Sequence, residues 1–503
     1  MKQNSRATKV KFGFDKLGEQ MKRVAVIDLG SNSARLAIFE RTSRLGFYLL
    51  REMKAKVRLG HGAYENGGVL QPEAIKEVIR VLSEFRRQIR IYKASRVFCG
   101  GTSALRDAPN KTEFLNRANK ELGLKFRVIS GKEEAFLGGL AALNLLDGVE
   151  DAVTLDIGGG SSELALIRNG RIIEQVSLNI GTVRLKELFF DKNDFKGAVK
   201  FIEKELKNIW FSQDKLLAIG GSLRAISNCI MKQQNYPLDI LHNFAYDYKE
   251  HKTLIKQIAS ANASSLRDLG VKKERFDTIR EGALIFHIIA KKLKIREVIS
   301  SGVGVREGLF LENLLRPAHR LPREFSPSLR SLQDRFFKSP SGFTPRYANE
   351  LFKLLSSKVG VNSEFVKPLL IAAKIYKIGE SIGVNKESEN TAFIIKKALV
   401  FGFSHQKRML IAKIIENKGK RVNNGVLEGI LPPAKVVHFL SFCFNLSKIL
   451  SDVMAKFEFD GETLSVFMQR NEILRAELNK LDPPSQINIK LCESDNFTPK
   501  EIG

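Results

Sequence analysis

Residues 26–39 and 154–167 repeat one pattern, and this repeat constrains the fold more than any other feature of the chain. Each segment is an apolar run that ends in an aspartate, then a turn rich in glycine and serine, then a second apolar run. Asp28 and Asp156 stand at the same place in the two copies. An apolar run that ends at such a turn is typical of a buried strand followed by a tight turn. We therefore expect two related halves of one molecule, each of which offers a turn to a shared cleft.

The composition of the two turns suits phosphate. Glycine lacks a Cβ, so its backbone can approach a ligand closely and point several N–H groups at phosphate oxygens. Asp156 could hold a metal ion or a metal-bound water, with Glu163 as a second carboxylate. A single glycine-rich turn can also exist for steric reasons alone. Two facing turns that grip a phosphate chain from both sides are harder to explain in that way.

Length, cysteine content and hydropathy limit the class of protein. The 503 residues, 43% of them hydrophobic, suffice for about three globular domains. Four widely spaced cysteines argue against a disulfide framework and fit a reducing cytosol. No apolar run approaches the roughly 18 residues of a membrane span, so we expect a cytoplasmic protein without a membrane partner. Because Met21 precedes the first predicted strand, residues 1–21 are expected to be an N-terminal tail or to reflect a misassigned start.

A formal net charge of +27, from 82 basic and 55 acidic residues, attracts polyanions. Nucleic acid, an acidic membrane and a polyphosphate-like substrate all fit this charge, and so does a lysine-rich composition with no ligand. Because no RNA-binding or helix-turn-helix signature is present, nucleic acid is not the expected partner.

Apolar spacing predicts the same order of elements twice. Three strands, followed by alternating helices and strands, occur between residues 22 and 147 and again between 148 and 316, which is typical of an α/β architecture. The predicted helices include 72–92 in the first half and 274–292 in the second. A boundary rich in proline and charge, at 316–322, ends the second half.

Residues 317–503 have a different pattern. After an irregular patch at 339–345, apolar residues three and four apart predict a mainly helical domain to about residue 420. The segments 464–468 and 487–491 could form a small unit that contains strands.

Two acids lie at the start of the helix predicted from Gly131. Acids in a first turn can simply complement the helix dipole, and we favour that role for Glu133. Successive helical residues point about 100° apart, so only one of Glu133 and Glu134 can face the cleft. A glutamate that faces the cleft could position a water molecule and remove its proton for attack on phosphorus.

Other candidates for anion binding flank the expected cleft. The turn 220–222 follows a strand and begins a helix, a place that suits anions. Arg106 and Arg184 could brace phosphates with bidentate contacts, although each taken alone fits a surface arginine better. In the turn at 300–308 the small residues favour close packing of domain surfaces over catalysis.

Six motifs together carry a family resemblance. In chain order they are DLGSNS at 28–33, GTSALRDA at 101–108, SGKEEA at 130–135, DIGGGSSE at 156–163, AIGGS at 218–222 and SGVGVREG at 301–308. The set resembles the exopolyphosphatase / guanosine pentaphosphate phosphohydrolase family over nearly all of residues 22–316. The resemblance implies the fold of the actin, sugar-kinase and heat-shock-chaperone superfamily, with two RNase-H-like lobes around a cleft. It also implies Mg²⁺-dependent hydrolysis of the terminal phosphoryl group of inorganic polyphosphate, of guanosine pentaphosphate, or of both.

The resemblance implies residue roles as well. The family's catalytic glutamate falls on Glu134, and its acidic metal positions fall on Asp28, Asp156 and Glu163. The residues expected to bind phosphate are Gly30, Ser31, Asn32, Ser33, Thr102, Ser103, Arg106, Gly158, Gly159, Gly160, Ser161, Gly220, Gly221 and Ser222.

The C-terminal region resembles the HD phosphohydrolase domain of longer family members, at 369–379 and 402–406. Where an HD metal site has its His-Asp pair, this chain has Tyr376 and Lys377, and the later histidine position holds Asn390. A lysine beside the site would repel a dication. We therefore expect no catalytic metal there, and expect the domain to extend a basic groove or to form the contact of a homodimer.

Two other functions fit the same phosphate turns. An ATP-using kinase of the superfamily would need an acceptor site, and transfer of phosphate from ATP to a small acceptor would support it. A sensor that binds polyphosphate or alarmone without hydrolysis would show tight binding and no turnover. Since the turns recognise only phosphate, the sequence does not rank polyphosphate against guanosine pentaphosphate.

Overall fold

The first lobe is a five-stranded mixed sheet with helices, seen in a computed structural model that describes residues 22–63, 65–337 and 341–495. The tail predicted over 1–21 and part of the patch predicted at 339–345 lie outside the described residues. The elements of the lobe are β1 (Arg23–Leu29), β2 (Ser33–Arg41), β3 (Phe47–Lys56), α1 (Pro72–Ile91), β4 (Arg96–Gly101), α2 (Ser103–Asp107), α3 (Lys111–Leu122), β5 (Phe126–Val128) and α4 (Gly131–Leu145). The strand order is β3-β2-β1-β4-β5, with β1 antiparallel to β2 and parallel to β4.

The second lobe repeats this plan with a six-stranded sheet. Its elements are β6 (Ala152–Ile157), β7 (Ser162–Arg168), β8 (Arg171–Leu178), α5 (Thr182–Leu188), α6 (Phe195–Glu205), β9 (Lys215–Ile219), α7 (Gly221–Gln233), β10 (Ala245–Asp247), α8 (Tyr248–Ser260), α9 (Ala263–Asp268), α10 (Ile279–Leu293), β11 (Glu297–Ser300) and α11 (Val305–Leu315). The strand order is β10-β11-β9-β6-β7-β8, with β6 antiparallel to β7 and parallel to β9. The predicted duplication of an α/β unit is confirmed.

Strand register explains why the repeat has the spacing it has. In the first lobe Asp28 lies opposite Arg35 across β1 and β2, and in the second Asp156 lies opposite Glu163 across β6 and β7. Directly opposite residues of an antiparallel pair share one face of the sheet, with their Cβ atoms about 5 Å apart. Arg35 and Glu163 are therefore equivalent positions with opposite charge.

The C-terminal region is mainly helical and ends in a small sheet, as the sequence predicts. Its elements are α12 (Pro327–Phe336), α13 (Thr344–Val359), α14 (Val366–Ile375), α15 (Glu387–Ala398), α16 (His405–Glu416), α17 (Ala434–Ile449), β12 (Ala455–Phe459), β13 (Thr463–Gln469), α18 (Glu472–Leu478) and β14 (Asn488–Ser494). The sheet order is β12-β13-β14. No helix in the described part of the chain has the length and apolar character that crossing a bilayer would demand.

Two element predictions are corrected. The helix predicted over 274–292 begins at Ile279, because residues 273–275 form a separate 3₁₀ turn that directs Arg275 and Thr278 toward the interlobe space. The segment 245–268, for which no element was predicted, forms β10, α8 and α9. In α8 the buried residues Tyr248, Leu254, Ile255 and Ile258 lie on one face of the helix, so apolar spacing is the signal that could have found it.

Two buried histidines join the second lobe to the C-terminal region. His242 donates from Nε2 to the Leu145 carbonyl at 3.0 Å and accepts at Nδ1 from the Gly302 N–H at 3.0 Å. His405 donates from Nε2 to the His242 carbonyl at 3.0 Å and accepts at Nδ1 from the Tyr236 hydroxyl at 2.8 Å. Burial lowers the pKa of both histidines to about 4. The joint is therefore built from neutral rings whose nitrogens are all engaged.

We predict that the protein becomes less stable as the pH falls from about 7 to about 5, because the unfolded chain takes up protons that the folded joint excludes. An unfolded histidine takes up its proton near pH 6.5, whereas folded His242 does so only near pH 4. Between these values the unfolded chain binds more protons, so the free energy of unfolding falls with pH, by up to about 3 kcal/mol for this one group. Urea unfolding across this pH range measures the effect.

A His242→Gln variant is the control, because an amide keeps one donor and one acceptor but does not titrate in this range. The comparison is needed because buried carboxylates act in the opposite direction. Burial raises the pKa of Glu281 to about 7, so the folded chain gains stability from that group as the pH falls. The wild type should lose more stability than the variant between pH 7 and 5, and equal losses would contradict the role of His242.

Candidate functional site

A cleft of about 110 Å³ lies between the lobes, where β1 and β6 end and their turns begin. The two turns approach each other closely: a Cβ added to Gly159 would lie 2.8 Å from the Cβ of Ser31. Only a residue without a side chain fits there. The tertiary structure therefore brings the two copies of the sequence repeat face to face.

Most of the residues predicted for the site line this cleft. They are Asp28, Gly30, Ser31, Asn32, Ser33, Thr102, Ser103, Glu134, Asp156, Gly158, Gly159, Ser161, Gly220, Gly221 and Ser222. Arg106, Gly160 and Glu163 lie behind the lining instead.

Glu134 is buried at the start of α4 and is held by Arg106. Arg106 Nη1 donates to Glu134 Oε2 at 2.9 Å and to the Ile129 carbonyl at 3.1 Å, and Nη2 donates to Ser161 Oγ at 3.2 Å. Burial, with the nearby Glu163 carboxylate adding to it, raises the pKa of Glu134 well above its usual range, while Arg106 opposes the shift. Arg106 thus connects a carboxylate of the first lobe to a turn of the second.

Glu133 points away from the cleft. Its backbone N–H is capped by Ser130 Oγ at 3.2 Å, and its Oε1 lies 3.2 Å from Arg127 Nη2 near the surface. Its side chain is 31% exposed, against 9% for Glu134. The helix phase therefore separates the two acids, one at the surface and one at the cleft.

Glu163 lies beside Glu134 and Arg106 rather than in the cleft lining. Its Oε1 accepts from Ser177 Oγ at 2.9 Å, and its buried Oε2 has no hydrogen-bond partner among the described residues. Burial raises the pKa of Glu163 to about 7. The structure does not gather Asp28, Asp156 and Glu163 into one ligand set: the described residues contain no group of three or more His, Cys, Asp or Glu that could hold a metal ion.

Asp28 and Asp156 face the cleft, and neither makes an ion pair or a side-chain hydrogen bond within residues 22–63, 65–337 and 341–495. Burial raises the pKa of Asp28, and it raises that of Asp156 to about 6, although Arg224 and Arg35 act in the opposite direction. Two carboxylates that face one cleft without a direct ion pair among the described residues fit a hard divalent cation. Mg²⁺ in particular uses one or two carboxylates and completes its shell with water and phosphate oxygens.

Four arginines that the sequence did not single out also line the cleft: Arg35, Arg224, Arg275 and Arg306. Arg224 Nε donates to the Ser301 carbonyl at 2.7 Å, and burial lowers its pKa to about 10. Arg224 follows the glycine turn of 220–222 by two residues, and Arg35 follows the first turn equally closely, so proximity to the turns is the signal that could have found them.

The turn at 300–308 both packs and lines the cleft, whereas its small residues favoured packing over catalysis in the sequence. A Cβ at Gly308 would lie 2.2 Å from the Leu137 carbonyl oxygen, so Gly308 is a packing position. Gly304, Val305, Arg306 and Glu307 line the cleft, and Glu307 Oε2 accepts from the Gly304 N–H at 2.8 Å.

Arg184 positions a turn instead of lining the cleft. Its Nε donates to the Gly160 carbonyl at 2.8 Å, and its Nη2 donates to Asp107 Oδ2 at 2.8 Å. Asp107 belongs to α2 of the first lobe, so this contact, like that of Arg106, connects the lobes.

Two further contacts connect the lobes away from Arg184. The Gly62 N–H donates to Glu187 Oε1 at 2.8 Å, and Lys56 Nζ lies 2.8 Å from Asp277 Oδ2. Together with the arginine contacts they hold the lobes close.

The residues at the expected HD positions serve packing. Tyr376 is buried against Phe444, with ring centroids 5.7 Å apart, and Lys448 Nζ lies 5.2 Å from the Tyr376 ring centroid. Asn390 Nδ2 donates to the Gly383 carbonyl at 3.2 Å. The absence of a metal there stays a prediction.

We predict that Gly220→Ala disturbs the cleft more than an ordinary glycine substitution does. Gly220 has φ +88° and ψ 173°, and a Cβ there would lie 2.5 Å from Asp156 Oδ1. The backbone cost alone is about 1–3 kcal/mol, and Asp156 would also have to move. Thermal and urea unfolding measure the loss of stability.

Gly148→Ala is the matched control, since Gly148 has φ +60° but a Cβ there would meet nothing within 4 Å. Its cost should be limited to the left-handed backbone, about 1–2 kcal/mol. Equal losses in the two variants would show that Asp156 is not crowded by position 220.

Comparison with known proteins places this site in a family. The model of the Ppx/GppA phosphatase family matches residues 37–317, more than half of the chain. A crystal structure of the Aquifex aeolicus member of the Ppx/GppA protein family is 30% identical, with a TM-score of 0.51, over 59% of this chain and 99% of that one. An exopolyphosphatase from Cytophaga hutchinsonii, 23% identical with a TM-score of 0.54 over 58% of this chain and 98% of that one, shares the fold.

The fold class predicted from the sequence is thereby confirmed. Duplicated RNase-H-like lobes of the actin, sugar-kinase and heat-shock-chaperone superfamily precede a mainly helical C-terminal region. The relation of that region to HD domains stays a prediction.

Proposed function

The chain belongs to the Ppx/GppA phosphatase family, and from this membership we propose that it is a Mg²⁺-dependent phosphohydrolase. Its substrate would be inorganic polyphosphate, guanosine pentaphosphate or both, and the terminal phosphoryl group would be released to water. The observation that carries the proposal is the position of Glu134: a buried carboxylate at the cleft, held by one arginine, between two facing glycine turns.

Asp28 and Asp156 would hold the metal ion, because both carboxylates face the cleft and neither forms a direct ion pair among the described residues. Bound Mg²⁺ would supply neutralisation of the phosphate charge that builds up in the transition state. Glu163, which lies behind the lining, would then act through its neighbours and not as a direct ligand.

The chain's own residues would orient the substrate. The N–H groups of Gly30 and Gly158 donate within their own turns, to the Ser33 and Ser161 carbonyls. Other backbone N–H groups of the turns at 30–33 and 158–161, with the hydroxyls of Ser31, Ser103 and Ser161, would donate to phosphate oxygens. The hydroxyls of Ser31 and Ser103 hydrogen-bond to each other at 2.9 Å, so a bound phosphate could accept from whichever of the two is the acceptor in that bond. Arg224 and Arg35 would offset the negative charge of the substrate's phosphate groups.

Glu134 would act as the general base. Arg106 holds Oε2, and Oε1 makes no hydrogen bond in the described part of the chain, which leaves it able to accept a proton from water. Burial raises the pKa of this carboxylate, which favours its acceptance of a proton, and Arg106 opposes the rise by stabilising the ionised form.

The remaining features of the proposal concern location and assembly. Four cysteines without disulfides, three of them buried, support a reducing compartment such as the cytoplasm. A homodimer is proposed from the family resemblance, with the C-terminal region as its contact.

The test of the function is phosphate release from long-chain polyphosphate and from guanosine pentaphosphate, measured side by side with and without Mg²⁺. We expect Mg²⁺-dependent release from at least one of them. Transfer from ATP to a small acceptor without release from either substrate would overturn the proposal in favour of a kinase. Tight binding of both without turnover would favour a sensor.

Replacing Glu134 by Gln should lower turnover by about 10²–10⁴ with little change in substrate binding, because the amide keeps the size but not the basicity. Glu133→Gln is the matched control on the same helix turn, and it should retain nearly full activity since its side chain pairs with Arg127 near the surface. Steady-state kinetics on the better substrate would decide. A larger loss in the Glu133 variant than in the Glu134 variant would refute the assignment of the base.

A further inference from the structure

A groove lined by cations lies on the second lobe, away from the cleft. Its volume is about 510 Å³, and it runs between α8 and the end of α10. Six cationic side chains line it: Lys249, Lys252, Lys256, Lys291, Lys294 and Arg296. All six are exposed, and none lies within 4.0 Å of a carboxylate in the described ranges.

Helix geometry aims these cations at one another. Lys249, Lys252 and Lys256 are spaced three and four residues apart, so they share one face of α8. Lys291 and Lys294 lie at the facing end of α10. Both sets border the same depression, so their charges add along it.

His287, in the lining of the groove, lies in the electrostatic potential of the same cations. Its Nδ1 lies 2.7 Å from the Tyr248 hydroxyl at the floor of the groove. Burial, and then the positive charges of Lys256, Lys291 and Lys252, lower its pKa. The positive charges of lysines from both helices therefore converge on His287.

A concave site lined by charges of one sign concentrates its potential on a ligand. Like charges that face one another across a groove repel, and nothing in folding requires them to converge there. Lysines at a helix end do complement the helix dipole. That effect explains Lys291 and Lys294 on α10, but not the three lysines of α8 that face them.

The residues that line the groove favour one class of polyanion over the others. Sequence-tolerant binding of single-stranded nucleic acid relies on exposed aromatic rings for base stacking, and the only aromatic ring besides His287 in the lining described for this groove belongs to buried Tyr248. A helix that lies on a membrane buries an apolar face in the interface, whereas the apolar residues of this lining, Ala290 and Ile295, are already buried in the protein. A linear chain that offers only phosphate fits best.

Distance to the cleft supports the same ligand. Thr278 lines the cleft at the start of α10, and Lys291 lines the groove thirteen residues later. At 1.5 Å per residue this is about 20 Å along one rigid helix. A polymer whose end occupies the cleft could reach the groove, while a substrate with only a few phosphates could not fill both.

We propose that this α8/α10 groove is a second binding site for long-chain inorganic polyphosphate, which holds the body of the chain while its end is in the cleft. The inference rests on the proposed function for the identity of the polymer. It assigns the groove to affinity for long chains and not to the chemical step.

The test compares the full chain with a groove variant, Lys252→Gln, Lys256→Gln and Lys291→Gln, and a control variant, Lys196→Gln, Lys200→Gln and Lys204→Gln. The control lysines are exposed on α6 of the same lobe and lie outside the groove. Their substitution removes as much charge as the substitutions in the groove variant. Direct binding of long-chain polyphosphate, of tripolyphosphate, of single-stranded RNA and of anionic phosphatidylglycerol vesicles is measured for each protein over a range of salt. Thermal unfolding checks that all three fold alike.

We expect the groove variant to bind long-chain polyphosphate about tenfold more weakly near physiological salt. The slope of log affinity against log salt should fall by about two, by analogy with single-stranded nucleic acid. Tripolyphosphate binding and the control variant should change less than about twofold. In turnover assays KM for long chains should rise with kcat unchanged.

Equal losses in the groove and control variants would overturn the proposal, because charge alone would then explain binding. Loss of RNA or vesicle binding with polyphosphate binding intact would overturn it in favour of another ligand. Because binding is read directly, a protein that hydrolyses neither substrate would refute the proposed function and still leave the groove tested.

Discussion

Arg106 makes the contact on which the cleft depends. It binds Glu134 of the first lobe and Ser161 of the second, and it lies 4.0 Å from Glu163. Buried carboxylates are costly unless they are paired, and removal of one partner leaves an uncompensated charge. One guanidinium therefore stabilises the Glu134 carboxylate at the cleft and connects it to the glycine turn of the second lobe.

The C-terminal region reaches the same cleft through the backbone. His242 accepts from the Gly302 N–H, and the turn that begins there continues to Gly304 and Arg306 in the cleft lining. His405 holds His242 in place by a hydrogen bond to the His242 carbonyl. Loss of the histidine joint would therefore release a turn that borders the site, which gives the helical region a physical route to influence it.

Charge is distributed in two ways on this molecule. In the cleft, arginines lie near carboxylates, and rigid guanidinium groups suit phosphate recognition at fixed geometry. In the α8/α10 groove five of the six cations are lysines, exposed and flexible, which suits a ligand held by charge without defined geometry. The cations behind the net charge of +27 therefore act differently in the cleft and in the groove.

The sequence by itself determined the duplicated α/β fold, the helical C-terminal region with its strands, and the residues of the turns. These follow from local patterns, because apolar periodicity and glycine turns act over a few residues. Helix phase was also enough to separate Glu133 from Glu134. Only the tertiary structure decided which distant groups meet: that Glu163 lies behind the lining, that Arg275 and Arg306 enter the cleft, and that His242 meets His405. Such contacts depend on how lobes pack in three dimensions, and no spacing along the chain encodes them.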